Sequence, residues 1–282
     1  MRLCLTLAAT LALLLPAPLR AQARDLQSAA PPLPNGQTQE QRGKELLDQM
    51  VTALGGPAWL NRRTATELGR TAAFFRNAPT GATIEFNESR QFRNETQPPL
   101  ERIGFLTDKS MILPGKKIDV VQIWTADSGY EITYKGKNSL PKDQVEDYLR
   151  RRNHSIEAVV FSWLKQPGVI VIAEGTSMVE RHLADKLTVL SANNDAVTIE
   201  LDATTHLPLS RTFEWRNQQF QDHDEDRETY DDYHTFNGLP TPLTLTRYRN
   251  GDMVNQRFLT KIEYNVPLPP DTFNADILVK KK

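Results

Sequence analysis

Apolar positions change their spacing several times along this chain of 282 residues, and each change marks an element. Leu46, Leu47, Met50, Val51 and Leu54 share one face at helical spacing. Gly55-Gly56-Pro57 then ends the run, because glycine accepts the left-handed position past a helix end and proline cannot continue the helix. From about Ala65 the period is two. Ile84, Phe86, Arg90 and Phe92 alternate against Glu85, Asn87, Ser89, Gln91 and Arg93. Leu100–Thr107 and Asp119–Thr125 are further strand-like runs, and Asp127-Ser128-Gly129 turns into the alternating Tyr130, Ile132 and Tyr134. Helical spacing returns with Val145, Tyr148, Leu149, Ile156, Val159, Val160, Trp163 and Leu164. Arg150–Ser155 interrupts that stripe, which predicts a kink or two helices, and Pro167-Gly168 ends it.

The last hundred residues read as successive antiparallel strands. Val197, Ile199 and Leu201 alternate strictly, Ala203–Leu207 is a turn, and Leu209, Phe213 and Trp215 follow. Asn250-Gly251 is a strong hairpin signal between Leu243–Arg249 and Val254–Val266. Phe258, Thr260, Ile262, Tyr264 and Val266 are expected on one face of the closing strand. The pattern predicts helices at Glu40–Leu54 and Pro141–Lys165 within a meandering antiparallel sheet.

The N-terminus carries a different signal. A charge-free apolar run, Leu3–Leu15, follows Met1-Arg2 and precedes Pro16 and Ala21-Gln22-Ala23. It is too short to span a bilayer and has the form of a secretory signal, with cleavage expected after Ala23. That cleavage would remove Cys4, the only cysteine, and leave 32 basic against 35 acidic side chains. The expected mature protein is therefore periplasmic, thiol-free and slightly acidic, which argues against nucleic acid as a partner. Residues 24–39 are polar and Pro-rich and read as a flexible leader. One domain is expected over residues 40–276, with a basic tail at 277–282.

Candidate chemistry is sparse. The acidic run Asp222–Asp226, with Glu228, Asp231, Asp232 and His234, lacks the spacing and turning glycine of an EF-hand. It reads as a solvated hairpin end, with no metal or cofactor expected. Arg150-Arg151-Arg152 reads as a solvated helix face, the alternative being contact with anionic lipid headgroups or an acidic partner. Neither the remaining histidines nor any serine falls in a hydrolase or nucleotide-binding motif.

Leu201-Asp202, Thr205 and Leu207-Pro208 form one group; Tyr233, Phe236-Asn237-Gly238-Leu239-Pro240, Pro242 and Asn250-Gly251 form another. With Ile262, Tyr264-Asn265, Leu268 and Phe273, and the early Gly55-Gly56 and Trp59-Leu60, the chain resembles the LolA/LolB-like superfamily of exported carriers. The resemblance implies a mainly β (α+β) fold: a curved antiparallel sheet forming an incomplete β-barrel, with helices covering the concave face. It also implies an apolar groove for a lipid or lipoprotein acyl chain. Leu149, Val159, Val160 and Trp163 are then expected on the inner face of a helical lid. Phe86, Phe92, Ile132, Phe213, Trp215 and Ile262 are expected on the sheet beneath it. The same alternation fits plain core. A non-enzymatic carrier is the leading expectation. The alternatives are an envelope sensor or assembly factor that binds proteins, and a periplasmic hydrolase with an unmarked site.

Overall fold

The computed structural model describes residues 36–94, 97–108, 115–217 and 221–279. The signal-like segment, most of the leader and Lys280–Lys282 lie outside them. Two helices open the fold, α1 (Gln39–Ala53) and α2 (Pro57–Leu60). The first meander is β1 (Thr64–Phe75), the two-residue β2 (Ala78–Pro79), β3 (Ile84–Gln91), β4 (Leu100–Asp108), β5 (Lys116–Trp124), β6 (Gly129–Thr133) and β7 (Gly136–Ser139). Helices α3 (Lys142–Asn153) and α4 (Ile156–Phe161) follow. The second meander is β8 (Ile170–Val179), β9 (His182–Leu190), β10 (Ala196–Asp202), β11 (Pro208–Arg216), β12 (His223–Phe236), β13 (Leu239–Arg249) and β14 (Asp252–Tyr264).

All pairings are antiparallel, in the order β7-β6-β5-β4-β3-β1-β14-β13-β12-β11-β10-β9-β8, with β2 on β1. The sheet is open: its edges, β7 and β8, are not paired with each other. The chain passes from one edge to the other through α3 and α4, so helices lie across the concave side of an incomplete barrel. The break expected within Arg150–Ser155 falls at its end: α3 stops at Asn153, and Ser155 caps α4 through its hydroxyl. Asn250 and Gly251 have φ of 51° and 81°, as a two-residue hairpin turn requires.

One expectation about a face is corrected. β14 is irregular where Lys261 opposes Leu68 and Leu259 opposes Gly69. The extra residue switches the alternation, so Leu259 and Ile262 both point inward and Phe258 is exposed.

Directly paired residues share a face, so the ladder identifies the inner surface. Across β8–β11 it is apolar: Val171 pairs with Val189, Val189 with Val197, and Leu187 with Ile199. Helix α1 covers this part with Leu46, Leu47 and Met50, and α4 and the turn after it add Val159 and Trp163. Thr38 and Gln41 close α1 with a capping box. Gly43 lets α1 sit on β8, since a Cβ there would lie 2.8 Å from the Val171 carbonyl oxygen. Gly43→Val is accordingly expected to cost about 1–3 kcal/mol of stability, the range for overpacking, in denaturant melts.

A smaller apolar cluster lies on the opposite, outer face. Val121 and Ile123 of β5 and Ile132 of β6 are covered there by Ala275 and Val279 of the segment after β14.

Candidate functional site

On the other half of the inner face the ladder changes from apolar to charged. Glu67 of β1 pairs with Glu88 of β3, and Arg90 of β3 pairs with Glu101 of β4. The Glu88 side chain is fully buried and meets the Arg257 guanidinium, and Arg90 lies 3.5 Å from both Glu67 and Glu88. Arg257 also lies 4.5 Å over the Phe86 ring. Burial, and then the Glu88 charge, raise the Glu67 carboxyl above its usual range. The same two causes push Glu101 up to about 7.

A second group lies on β11–β13. Arg211 and Asp226 are both buried and 3.2 Å apart, and Arg247 is 2.7 Å from the other Asp226 oxygen. Arg211 also lies 3.4 Å from Glu228. This corrects two expectations. The acidic run is a solvated hairpin end only in part: Asp222, Asp231, Asp232 and His234 are exposed, while Asp224, Asp226 and Glu228 occupy the inward positions of β12, opposite Trp215, Phe213 and Arg211. The triple arginine is not a solvated face. Arg150 stacks on Trp215, Arg151 pairs with Asp147, and Arg152 donates to the carbonyls of Thr125, Ala126 and Pro99.

Helix α3 bridges these groups without fully burying any of its residues. Asp147 receives Arg247 at 3.1 Å and Arg249 at 2.7 Å. Burial opposes its ionisation, yet Arg151, Arg247 and Arg249 hold its carboxyl below the usual range. Tyr148 stacks on Trp124 with ring centres 3.9 Å apart and donates its hydroxyl proton to Glu101 at 2.8 Å. At the start of α4, Glu157 pairs with Arg62 at 2.8 Å. The Arg62 guanidinium lies within 4.4 Å of both the Trp59 and Phe92 rings.

Between helices and sheet lies a cavity of about 280 Å³. Leu54, Trp59, Phe92, Ile156, Leu259 and Ile262 supply apolar wall, while arginines and glutamates of the network supply the rest. The space is amphiphilic, where an apolar groove was expected. Of the expected groove residues, Phe92 and Ile262 face it. Phe86 is fully buried beneath Arg257 on the same side of the sheet. Val159, Trp163 and Phe213 sit in the apolar core under α1, with the Trp163 indole donating to the Asn153 carbonyl. Val160 and Trp215 pack at that core's margin, and Leu149 is half-buried on α3. Ile132 lies on the outer face of the sheet.

The charged wall was not anticipated, although its signal is present as parity. Arg211 stands in step with Phe213 and Trp215, as Arg90 does with Phe86 and Phe92. Among the described residues no grouping of three or more His, Cys, Asp or Glu side chains has the arrangement of a metal site.

The chain matches no family model and no curated protein. Among solved structures it is similar to a DUF1329 family protein from Desulfovibrio piger, at 10% identity and a TM-score of 0.54, covering 84% of this chain and 98% of that one. It is also similar to a domain described as that of an outer membrane lipoprotein-sorting protein from Vibrio parahaemolyticus. There the identity is 12% and the TM-score 0.51, covering 83% and 97%. A LolA superfamily protein from Nitrosomonas europaea aligns at 9% identity and a TM-score of 0.46, covering 82% and 97%. At these identities the likeness to the first two is one of fold alone, an open antiparallel sheet with helices across its concave side.

Proposed function

We propose that this protein binds and carries the acyl part of a lipid or lipoprotein in the periplasm, without chemistry on its cargo. The observation that supports this most is the cavity between α3, α4 and the inner face of the sheet, with apolar wall at Trp59, Phe92, Leu259 and Ile262. Burial of each CH₂ there contributes about 0.8 kcal/mol. A void of about 150 Å³ holds a benzene-sized molecule, so the present cavity of about 280 Å³ holds a short stretch of chain. A longer chain requires α3 to lift. Its attachment suits that movement, since α3 is held by stacking and by partly exposed ion pairs more than by apolar burial. Such pairs contribute little each once solvated. The fold and its likeness to a lipoprotein-sorting domain agree with this reading.

The test is titration of the delipidated protein with a fluorescent fatty acyl probe. Saturable binding is expected. Leu245→Trp, which places an indole in the cavity wall, is expected to weaken binding at least about tenfold while leaving the denaturant midpoint nearly unchanged. Trp163→Ala acts in the apolar core and is expected to do the reverse, lowering stability with binding retained in the folded fraction. Absence of saturable binding by folded wild-type protein counts directly against the carrier reading.

A further inference from the structure

Charge on the cavity wall is unbalanced. Arg62, Arg90, Arg93, Arg151, Arg152, Arg211 and Arg257 face the space, against Glu67, Glu101, Glu157 and Glu228. The layer behind restores part of the balance. Glu88, Asp147, Asp224 and Asp226 lie there with Arg247 and Arg249. The excess is three positive charges at the wall and one when both layers are included.

The excess is localised. Among the described residues Arg152 is tied to backbone carbonyls and to no carboxylate, and its Nε meets no acceptor. Arg93, on the loop after β3, makes no ion pair among the described residues. Arg93 and Arg152 line the same cavity, and Arg152 donates to the Pro99 carbonyl on the β3–β4 connection that also carries Arg93; burial, followed by the Arg152 charge, holds the Arg93 guanidinium below its usual range. Arg211, 2% exposed, satisfies Asp226 and Glu228 and still has an Nε without an acceptor. Arg93 and Arg152 are both half-buried, and like charges in a partly desolvated wall repel. An anion lodged between Arg93 and Arg152 relieves that repulsion. Guanidinium forks match carboxylate and phosphate oxygens in pairs.

We propose that the cavity recognises an anionic amphiphile, its carboxylate or phosphate held by Arg93 and Arg152 and its chain lying along Trp59, Phe92 and Ile262. This rests on the carrier reading and adds the class of headgroup.

The experiment titrates the delipidated protein with dodecanoate, dodecyl phosphate, methyl dodecanoate and inorganic phosphate, for wild type and Arg93→Gln. The two anionic amphiphiles are expected to bind about ten- to a hundredfold more tightly than the methyl ester, as charge-assisted hydrogen bonds allow. Arg93→Gln is expected to remove most of that preference, weakening the two anionic amphiphiles by a much larger factor than the methyl ester, with little change in the denaturant midpoint. Inorganic phosphate is expected to compete only weakly. Equal affinity for acid and ester, or an equal loss for both in Arg93→Gln, overturns the headgroup proposal and leaves the carrier reading standing. Inorganic phosphate binding as tightly as dodecyl phosphate overturns it in favour of a site for small free anions. No saturable binding of any amphiphile overturns both.

Discussion

Asp226→Ala is expected to lower the stability of the folded protein by about 3–5 kcal/mol, the cost of leaving a buried charge without its partner. Asp226 is fully buried and joins Arg211, itself 2% exposed, to Arg247. Removing the carboxylate leaves Arg211 with Glu228 alone, and Arg247 with Asp147 on α3. Against a total stability of about 5–15 kcal/mol for an ordinary domain, that loss is a large shift in a denaturant melt. The control is internal: Asp222 and Asp231 belong to the same acidic run but are exposed, and alanine there is expected to change stability by no more than about 0.5 kcal/mol. If all three variants melt together, the buried network is not a determinant of the fold.

The second large effect is on pH dependence. Burial and the Glu88 charge, opposed by Arg90 and Arg257, raise Glu101 from its ordinary 4.5 to about 7. Between those values the native state binds a proton that the unfolded chain has released, so stability falls as pH rises through the window. Above about 7 the penalty is fully present. The carboxyls of Asp147, Glu157 and Glu228 are held below their usual range by arginines, despite burial. Their contribution is present above the ordinary carboxylate pKa and is lost in acid. The two trends place maximal stability on the mildly acidic side of neutrality. Denaturant midpoints at pH 5.5 are expected above those at pH 8, with the difference reduced in Glu101→Gln. Equal midpoints, or a slope unchanged in that variant, would speak against a buried, proton-holding Glu101.

The order of elements was legible in the sequence because each has its own local signal. The helical stripe Leu46–Leu54, the alternation Val197–Leu201 and the Asn250-Gly251 turn each act within a few residues. The inward direction of the strands was less legible. Alternation separates a strand into two sets without saying which set looks inward, and β5–β6 shows the ambiguity. Ile132, Val121 and Ile123 look like inner-face residues until the segment ending at Val279 is seen to cover them from outside. The charged wall was hidden for a related reason. A carboxylate on a strand reads as solvent-facing by default, and Asp226 escapes that default because Arg211 and Arg247 arrive from the two strands flanking β12, in a register that β12 itself does not announce. The irregularity at Leu68–Gly69 also had no local sign, so Phe258 was assigned to the wrong side of β14.

The pairing of β1 with β14 has a consequence for the birth of the molecule. The hydroxyl of Thr64 reaches the carbonyl of Val266, 202 residues further on, and the two strands lie side by side in the interior of the sheet. At about 5–20 residues per second, roughly 10–40 s separate the synthesis of the first strand from that of its neighbour. Local hairpins on either side of the helical crossing can form early, but the seam between the two halves closes last. Topologies dominated by such distant contacts fold slowly. A chain halted before Asp252 lacks the strand that joins the halves and bares two flanks at once, one along β1 and one along β13. Each presents a row of unsatisfied backbone groups ready to recruit another chain, so the final thirteen-residue strand protects the nascent molecule from its own kind.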